Sequence, residues 1–300
     1  MSGVTEPPIT RVSDLILGGS TRQEARREVA GLQLLARGAY ADTAGLSAEG
    51  RLILRTRALV DRVGSVIASH LSAAAAWELP LQDSHLDEVH LSPCPDRRGN
   101  PKAGPGYHLH TRAVKPADVE LLNGLPVTTP LLTTLDCARW LRPDWGVVIA
   151  DAALNRGLID QASLAEAARR VRRLRGAARA RALPKISSAL AESPGESLLR
   201  LRLLRMGLEV TEQYSMPWVE GDPRVDFLVD GRLAVEFDGR GKYSLRGDPA
   251  RAHWEEKLRH DRIVEAGTAM IHVVWAELWD EPALSRRVNR ALARAKPTRG

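Results

Sequence analysis

The stretch from Arg224 to Gly239, RVDFLVDGRLAVEFDG, constrains this chain more than any other. Two short alternating runs, 225–229 and 233–237, flank Asp230-Gly231-Arg232 and read as a β-hairpin. A two-residue loop would mix apolar and polar side chains on both faces. A three-residue loop pairs Val229 with Leu233 and Asp226 with Glu236. In that register Val225, Phe227, Val229, Leu233, Val235 and Phe237 form one apolar face, and Asp226, Glu236 and Asp238 converge on the other. A slip of one residue inverts every side chain, so the register with one clean face is the expected one. Three-residue hairpin loops carrying a glycine near the end are a common type.

Three carboxylates gathered on one face repel one another unless a cation sits among them. Hard carboxylate oxygens suit Mg²⁺, with Mn²⁺ as a second choice. Asp226 and Glu236 are the candidate metal ligands. The alternative is an exposed edge on which each acid is solvated separately. Upstream, Ser193-Pro194-Gly195-Glu196 combines proline at a first helical position with a capping-box glutamate. Glu196 therefore has two compatible roles, a reciprocal cap and a place beside the acids. Downstream, Lys242 and Lys257 stand out because only six of the 43 basic residues are lysine. An ammonium there would stabilise charge developing on a phosphate. The plainer role of Lys257 is an ion pair with Asp261, one helical turn away.

The ordered set Glu196, Gln213, Val225-Asp226-Phe227, Val235-Glu236-Phe237-Asp238-Gly239, Lys242-Tyr243, Glu256-Lys257, Gly267 and Val274-Trp275 resembles a very-short-patch-repair (Vsr)-like endonuclease domain. More narrowly, it resembles the domain of unknown function 559 family. The resemblance covers about 100 residues, and it implies the PD-(D/E)xK nuclease fold. That fold is a mixed sheet between helices, with an Asp on one strand and Glu-x-Lys on the next. It assigns Asp226 as the first metal-binding acid and Glu236 as the second. Position 238 departs from the pattern, being Asp238 and not lysine, so the cation must come from Lys242 or Lys257. The candidate catalytic set is Glu196, Asp226, Glu236, Asp238, Lys242 and Lys257.

Residues 9–45 read as helix, glycine turn, basic helix and β-ribbon, the order of a winged helix-turn-helix. Ser20 is placed as the cap of a second helix, Thr21 to Ala30, that carries Arg22, Arg26 and Arg27. The order also resembles the N-terminal domain of type IV (AbiEi-like) antitoxins, including a Gly38-Ala39-Tyr40 wing. Residues 50–160 alternate helix and strand and resemble the segment that follows the winged helix in such chains. His90, His108 and His110 lie there, but no further ligand has a metal-site spacing, so packing or surface roles are expected of them. Between residues 156 and 190, nine basic residues against two acidic ones give a local charge of +7, which equals or exceeds the +6 of the whole chain. That stretch reads as a solvated basic helix interrupted at Pro184, or as a phosphate-contacting one through Arg170 and Arg173.

Four segments follow: a winged helix over 1–48, an α/β block over 49–160, a basic helical linker over 161–190 and a nuclease domain over 191–300. The fold class is α/β. No apolar run approaches the roughly 18–20 residues that span a bilayer, and the first residues lack a signal-peptide layout. Cys94 and Cys137 are the only cysteines, too few for a disulfide framework. A cytoplasmic protein with DNA as its partner is the expectation, acting as an Mg²⁺-dependent endonuclease. The alternative is a DNA-binding regulator or antitoxin with an idle nuclease-like domain.

Overall fold

The computed structural model describes residues 6–94, 102–239 and 249–297. The chain forms two compact units, Met1–Ser187 and Ser188–Gly300. Both are mixed α/β.

The first unit opens with a three-stranded sheet of β1 (Thr10–Arg11), β2 (Gln33–Ala36) and β3 (Ala39–Ala41), in the order β1-β3-β2. Two short helices, α1 (Val12–Leu17) and α2 (Arg22–Glu28), lie between β1 and β2 in sequence. Thr21, not Ser20, caps α2. Its hydroxyl accepts from the Glu24 amide while the Glu24 carboxylate takes the Thr21 amide at 2.8 Å, a reciprocal capping box. Ala25 and Val29 are the buried side of this helix, and Arg22, Arg26 and Arg27 are exposed. Helix α3 (Ala48–Val63) follows. Its Leu52, Leu54 and Leu59 share a single core with Leu35, Ala36, Ala39 and Ala41 of the small sheet and with Val66, Leu91 and Val127 beyond it. The boundary expected after residue 48 therefore does not separate two cores.

A five-stranded sheet completes this unit: β4 (Val66–Ala68), β5 (Val89–Pro93), β6 (Tyr107–Leu109), β7 (Val119–Leu122) and β8 (Leu125–Thr128), in the order β6-β5-β4-β8-β7. The helices α4 (His70–Ala76), α5 (Pro130–Trp140), α6 (Pro143–Asn155), α7 (Gln161–Arg170) and α8 (Ala177–Ile186) belong to the same unit. The stretch expected as a basic linker is thus two packed helices. Ala180 and Leu183 of α8 are buried, and α8 packs on α5 and α6. The chain breaks at 171–176 and not at Pro184, which α8 contains. Gly176 makes that break possible. It has φ +74°, and a Cβ there would lie 2.3 Å from the Arg139 carbonyl oxygen.

The second unit runs α9 (Pro194–Arg205), β9 (Val210–Ser215), β10 (Arg224–Val229), β11 (Leu233–Asp238), α10 (Pro249–Glu265), β12 (Ala269–Val274) and α11 (Glu281–Arg294). The four strands form one mixed sheet in the order β12-β11-β10-β9, antiparallel except for the β11–β12 pair. Helix α10 is the crossover that a parallel pair requires. The β10–β11 register is the one the alternation predicts, with Val229 opposite Leu233, Leu228 opposite Ala234 and Phe227 opposite Val235. The paired ladder ends at Phe227, one residue from Asp226. Val225 departs from the expected face, clustering with Met216, Val219, Ala234 and Ile263.

Helices cover both faces of this sheet. Gly195 at the start of α9 lies against the Phe237 ring, whereas α10 sends Ile263 into the cluster around Ala234, which projects from the opposite face of β11. A Cβ on Gly195 would come within 1.9 Å of Phe237 Cε1. Gly195→Ala should therefore destabilise the second unit by about 1–3 kcal/mol through overpacking. Combining it with Phe237→Leu should cost less than the sum of the two single changes. Urea unfolding of the three variants measures this, and additive costs would remove the close approach as the cause.

Candidate active site on the mixed sheet

The candidate residues lie on all four strands. Glu236 on β11 pairs with His272 on β12. Asp226 on β10 lies between Val225 and Phe227, which pair with Tyr214 and Glu212, so it stands opposite Gln213 on β9. Glu236 and His272 are thus neighbours across β11 and β12, and Asp226 and Gln213 across β10 and β9, with Gln213 turned to Glu196 and Glu236 to Arg259. The regular β10–β11 ladder extends to Phe227, and beyond it the Phe237 amide donates to Asp226 Oδ2 at 2.8 Å. That bond fixes the carboxylate at the end of the hairpin.

Glu236 is 7% exposed. A carboxylate so buried is costly without a cation, and Arg259 of α10 supplies one, donating Nη2–H to Glu236 Oε2 at 2.6 Å. Arg259 also donates to the Arg224 carbonyl at 3.0 Å, which orients its fork. His272 Nδ1 lies 3.6 Å from Glu236 Oε2, and its Nε2 is hydrogen-bonded to His260 Nδ1 at 3.0 Å. Sequence reasoning missed Arg259, His260 and His272. The signal for Arg259 was present: it precedes the fully buried Ile263 by four residues, so both lie on the face of α10 turned to the sheet. Lys257 is off that face. It is exposed and, among the described residues, makes no ion pair with Asp261 and no contact with Asp226 or Glu236. Lys242 lies outside the described residues.

Glu196 is buried and folds back over the start of its own helix. Its Oε1 accepts from Ser193 Oγ at 2.7 Å, and its Oε2 accepts from the Glu192 amide at 2.9 Å and from Gln213 Nε2 at 3.1 Å. The cap is realised, and Gln213 links it to β9, the strand paired with that of Asp226. Gln213 adopts φ +48°, an uncommon conformation for a strand residue. Asp238 is half-exposed at the end of β11. Among the described residues no group of three or more His, Cys, Asp or Glu side chains is arranged to hold a metal ion. The two carboxylates Asp226 and Glu236 are hard oxygen donors on adjacent strands, a donor chemistry that fits a magnesium ion with water completing its shell.

The first unit holds a second polar cluster, around the histidines for which packing roles were expected. His90 Nδ1 bonds His110 Nε2 at 3.0 Å, and the His70 and His110 rings stack in parallel with centroids 3.4 Å apart. Trp140 closes on the group edge-on. Burial first, and then the neighbouring imidazoles, push His90 and His110 down to about 3. His70 is lowered well below its usual value by burial, His110, His90 and Arg139. Beside them Asp136 is raised to about 6 by burial, against the attraction of Arg139 at 2.5 Å. With His70 neutral, its 4.0 Å approach to Asp136 is a polar contact and not an ion pair.

The basic stretch divides into groups with different partners. Arg170 pairs with Glu166, Arg179 donates to the Arg139 and Leu141 carbonyls, and Arg181 donates to the Val171 carbonyl at 3.0 Å. Arg173, at φ +55°, lines a pocket and lies on no groove-facing helix.

No protein-family model matches this sequence. Two uncharacterized proteins of Mycobacterium tuberculosis, MT2308 of strain CDC 1551 / Oshkosh and Rv2248 of strain H37Rv, are each 30% identical to it over 195 residues, 64% of this chain and 70% of theirs. The chain belongs to their family. Among solved structures, the crystal structure of the RV2827C protein from Mycobacterium tuberculosis is similar over 66% of this chain and 76% of that one, at 17% identity and a TM-score of 0.40.

The lowered histidines make a testable claim about acid stability. In the unfolded chain these imidazoles take up protons below about pH 6.5, whereas folded His90 and His110 resist until about 3. Their contribution is complete above 6.5 and is lost as the pH falls towards 3. Asp136 has the opposite sign, its stabilisation being complete below its unfolded value of 3.8 and lost as the pH rises through about 6. Three imidazoles outweigh one carboxyl, so hydrogen-exchange protection over residues 66–92 should fall between pH 6.5 and 4. His90→Gln should make that fall shallower, by up to about 1.4 kcal/mol per pH unit. An unchanged slope in the variant would contradict the assignment.

Proposed function

We propose that residues 188–300 hydrolyse phosphodiester bonds in DNA with the help of Mg²⁺ or Mn²⁺, and that the first unit holds the DNA. The observation that carries this reading is the Phe237 amide donating to Asp226, which brings that carboxylate to the Glu236-Phe237 end of the adjacent strand in a mixed sheet. The order α9-β9-β10-β11-α10-β12 agrees with the arrangement implied by the resemblance to very-short-patch-repair-like nucleases. Asp226 and Glu236 would hold the ion, which would polarise a phosphoryl oxygen and acidify a bound water. Among the described residues Arg259, not Lys257, is the cation beside Glu236, and in this reading it takes the part that lysine at position 238 would have played. In the first unit, the exposed Arg22, Arg26 and Arg27 on capped α2 are placed for phosphate or groove contact in a winged-helix arrangement.

One observation favours a second reading, a DNA-binding regulator with an idle nuclease-like domain. Arg259 already pairs with Glu236, so that carboxylate has a cation without a metal. Cleavage decides between the two. Supercoiled plasmid should be cut with Mg²⁺ and spared with chelator. Asp226→Asn and Glu236→Gln should each reduce cutting by at least about a hundredfold while metal-free DNA affinity holds or rises. Arg259→Ala should slow cleavage about 10–100-fold, with Lys257→Ala close to wild type. Protein that binds DNA yet cuts nothing with either metal, across varied substrates, hands the case to the regulator.

DNA affinity should fall linearly with salt on logarithmic axes. Changing Arg22, Arg26 and Arg27 together to alanine should reduce the slope by about 2–3, one unit per lost phosphate contact. An unchanged slope and affinity would remove α2 from the interface.

A further inference from the structure

We propose that the first unit contains a binding pocket for a phosphorylated ligand no larger than a nucleotide, independent of the nuclease reading. The pocket, about 260 Å³, lies between the histidine cluster, the 111–118 segment, α5 and the 173–175 turn. Its volume falls at the small end for ligand sites, enough for a compact polar molecule and too little for a duplex groove contact.

Its chemistry is graded from floor to rim. The floor is polar and buried: His70 is 5% exposed, Ser92 2% and Asp136 7%. His70 uses Nδ1 towards Ser69 Oγ at 3.1 Å, and its Nε2 has no hydrogen-bond partner among the described residues. A neutral imidazole and hydroxyls offer donors to an oxygen-rich ligand without the cost of burying further charge. An apolar guest would leave those groups unsatisfied.

The rim is cationic. Arg112, Lys115, Arg173 and Arg175 line the mouth and make no side-chain ion pair or hydrogen bond among the described residues, while Arg139 spans from Asp136 to the Arg175 carbonyl. Five cations face two carboxylates, Asp136 and Asp118. Some arginines elsewhere in this unit are tied to acids or carbonyls, as Arg57, Arg156 and Arg179 are. Arg112 and Arg139 are drawn to Asp136, but five like charges around one cavity outnumber its two carboxylates, and a dianion relieves the remaining repulsion. Guanidinium forks match phosphate oxygens in pairs, which favours phosphate over a single carboxylate.

The backbone supports a built site. His70 at φ +48° and Arg173 at φ +55° both hold conformations that non-glycine residues seldom adopt, and both line this pocket. Such local strain persists where the surrounding structure over-determines it, often at ligand sites. Gly176 allows the 173–175 turn to close on Arg139.

The phosphate has two possible sources, a free nucleotide or the terminal phosphate of a nucleic-acid strand. Calorimetric titration of the full chain separates them with four probes: inorganic phosphate, AMP, a 5′-phosphorylated dinucleotide and the same dinucleotide without its terminal phosphate. Expected are saturable binding of AMP or of the phosphorylated dinucleotide, and at least about tenfold weaker binding of the unphosphorylated one. Arg112→Glu and Arg175→Glu change exposed side chains and should leave the fold intact by circular dichroism while weakening binding at least about tenfold. AMP alone identifies a nucleotide site, and the phosphorylated dinucleotide alone identifies a strand-end site. The proposal is overturned if no phosphorylated probe binds at millimolar concentration, if the terminal phosphate makes no difference, or if folded variants bind as tightly as wild type.

Discussion

The turn at Asp230-Gly231 is the constraint from which the second unit's geometry follows. Both residues have positive φ, at 47° and 62°, and the Arg232 amide closes on the Val229 carbonyl at 3.1 Å. Glycine adopts this region freely, and aspartate tolerates it better than most residues. Asp230 also bonds Glu209 twice, amide to carbonyl and carboxylate to amide, each at 2.9 Å, which ties the start of β9 to the same turn. Three strands are thereby set in register from one end. That register brings Asp226 to the Glu236-Phe237 end of β11, where it accepts the Phe237 amide. The parallel β12 sets His272 beside Glu236.

The two units handle buried charge in different ways. In the second, buried Glu236 pairs with the Arg259 guanidinium from α10. In the first, the imidazoles stay neutral and stack, while Asp136 balances burial against Arg139. A parallel imidazole pair at 3.4 Å is tolerable only because neither ring is protonated. Net charge is therefore a poor guide to contacts here. Part of the basicity between 156 and 190 closes backbone carbonyls, as Arg156, Arg179 and Arg181 do.

The β10–β11 hairpin was legible because strict alternation leaves one register with an unmixed face. The cap at Glu196 was legible because it depends on four consecutive residues. What escaped depends on longer-range packing or on signals passed over. Asn123-Gly124 is a strong hairpin signal, with φ 49° and 80° and Leu122 opposite Leu125, yet β7 and β8 were not anticipated. Strand β4 is three residues long and buried throughout, so it has no alternation to show. The histidine cluster draws His70 from a helix start twenty residues before His90, and no spacing rule connects the two. The expected break at residue 48 failed because α3 buries the small sheet and the larger one in the same core.

The substitution at position 238 has a structural counterpart in α10. A lysine two residues after Glu236 would share its strand, and its distance from the acids would be set by the strand alone. Arg259 reaches Glu236 from a separate helix, so its placement depends on how α10 seats against the sheet. Ile263, four residues on and fully buried, sets that seat, and the bond from Arg259 to the Arg224 carbonyl fixes the fork. The electrostatics of the acid pair thus become a property of tertiary packing. Any change that loosens α10 weakens the charge balance at Glu236 before it disturbs the hairpin, because the hairpin register is held independently by the turn at Asp230.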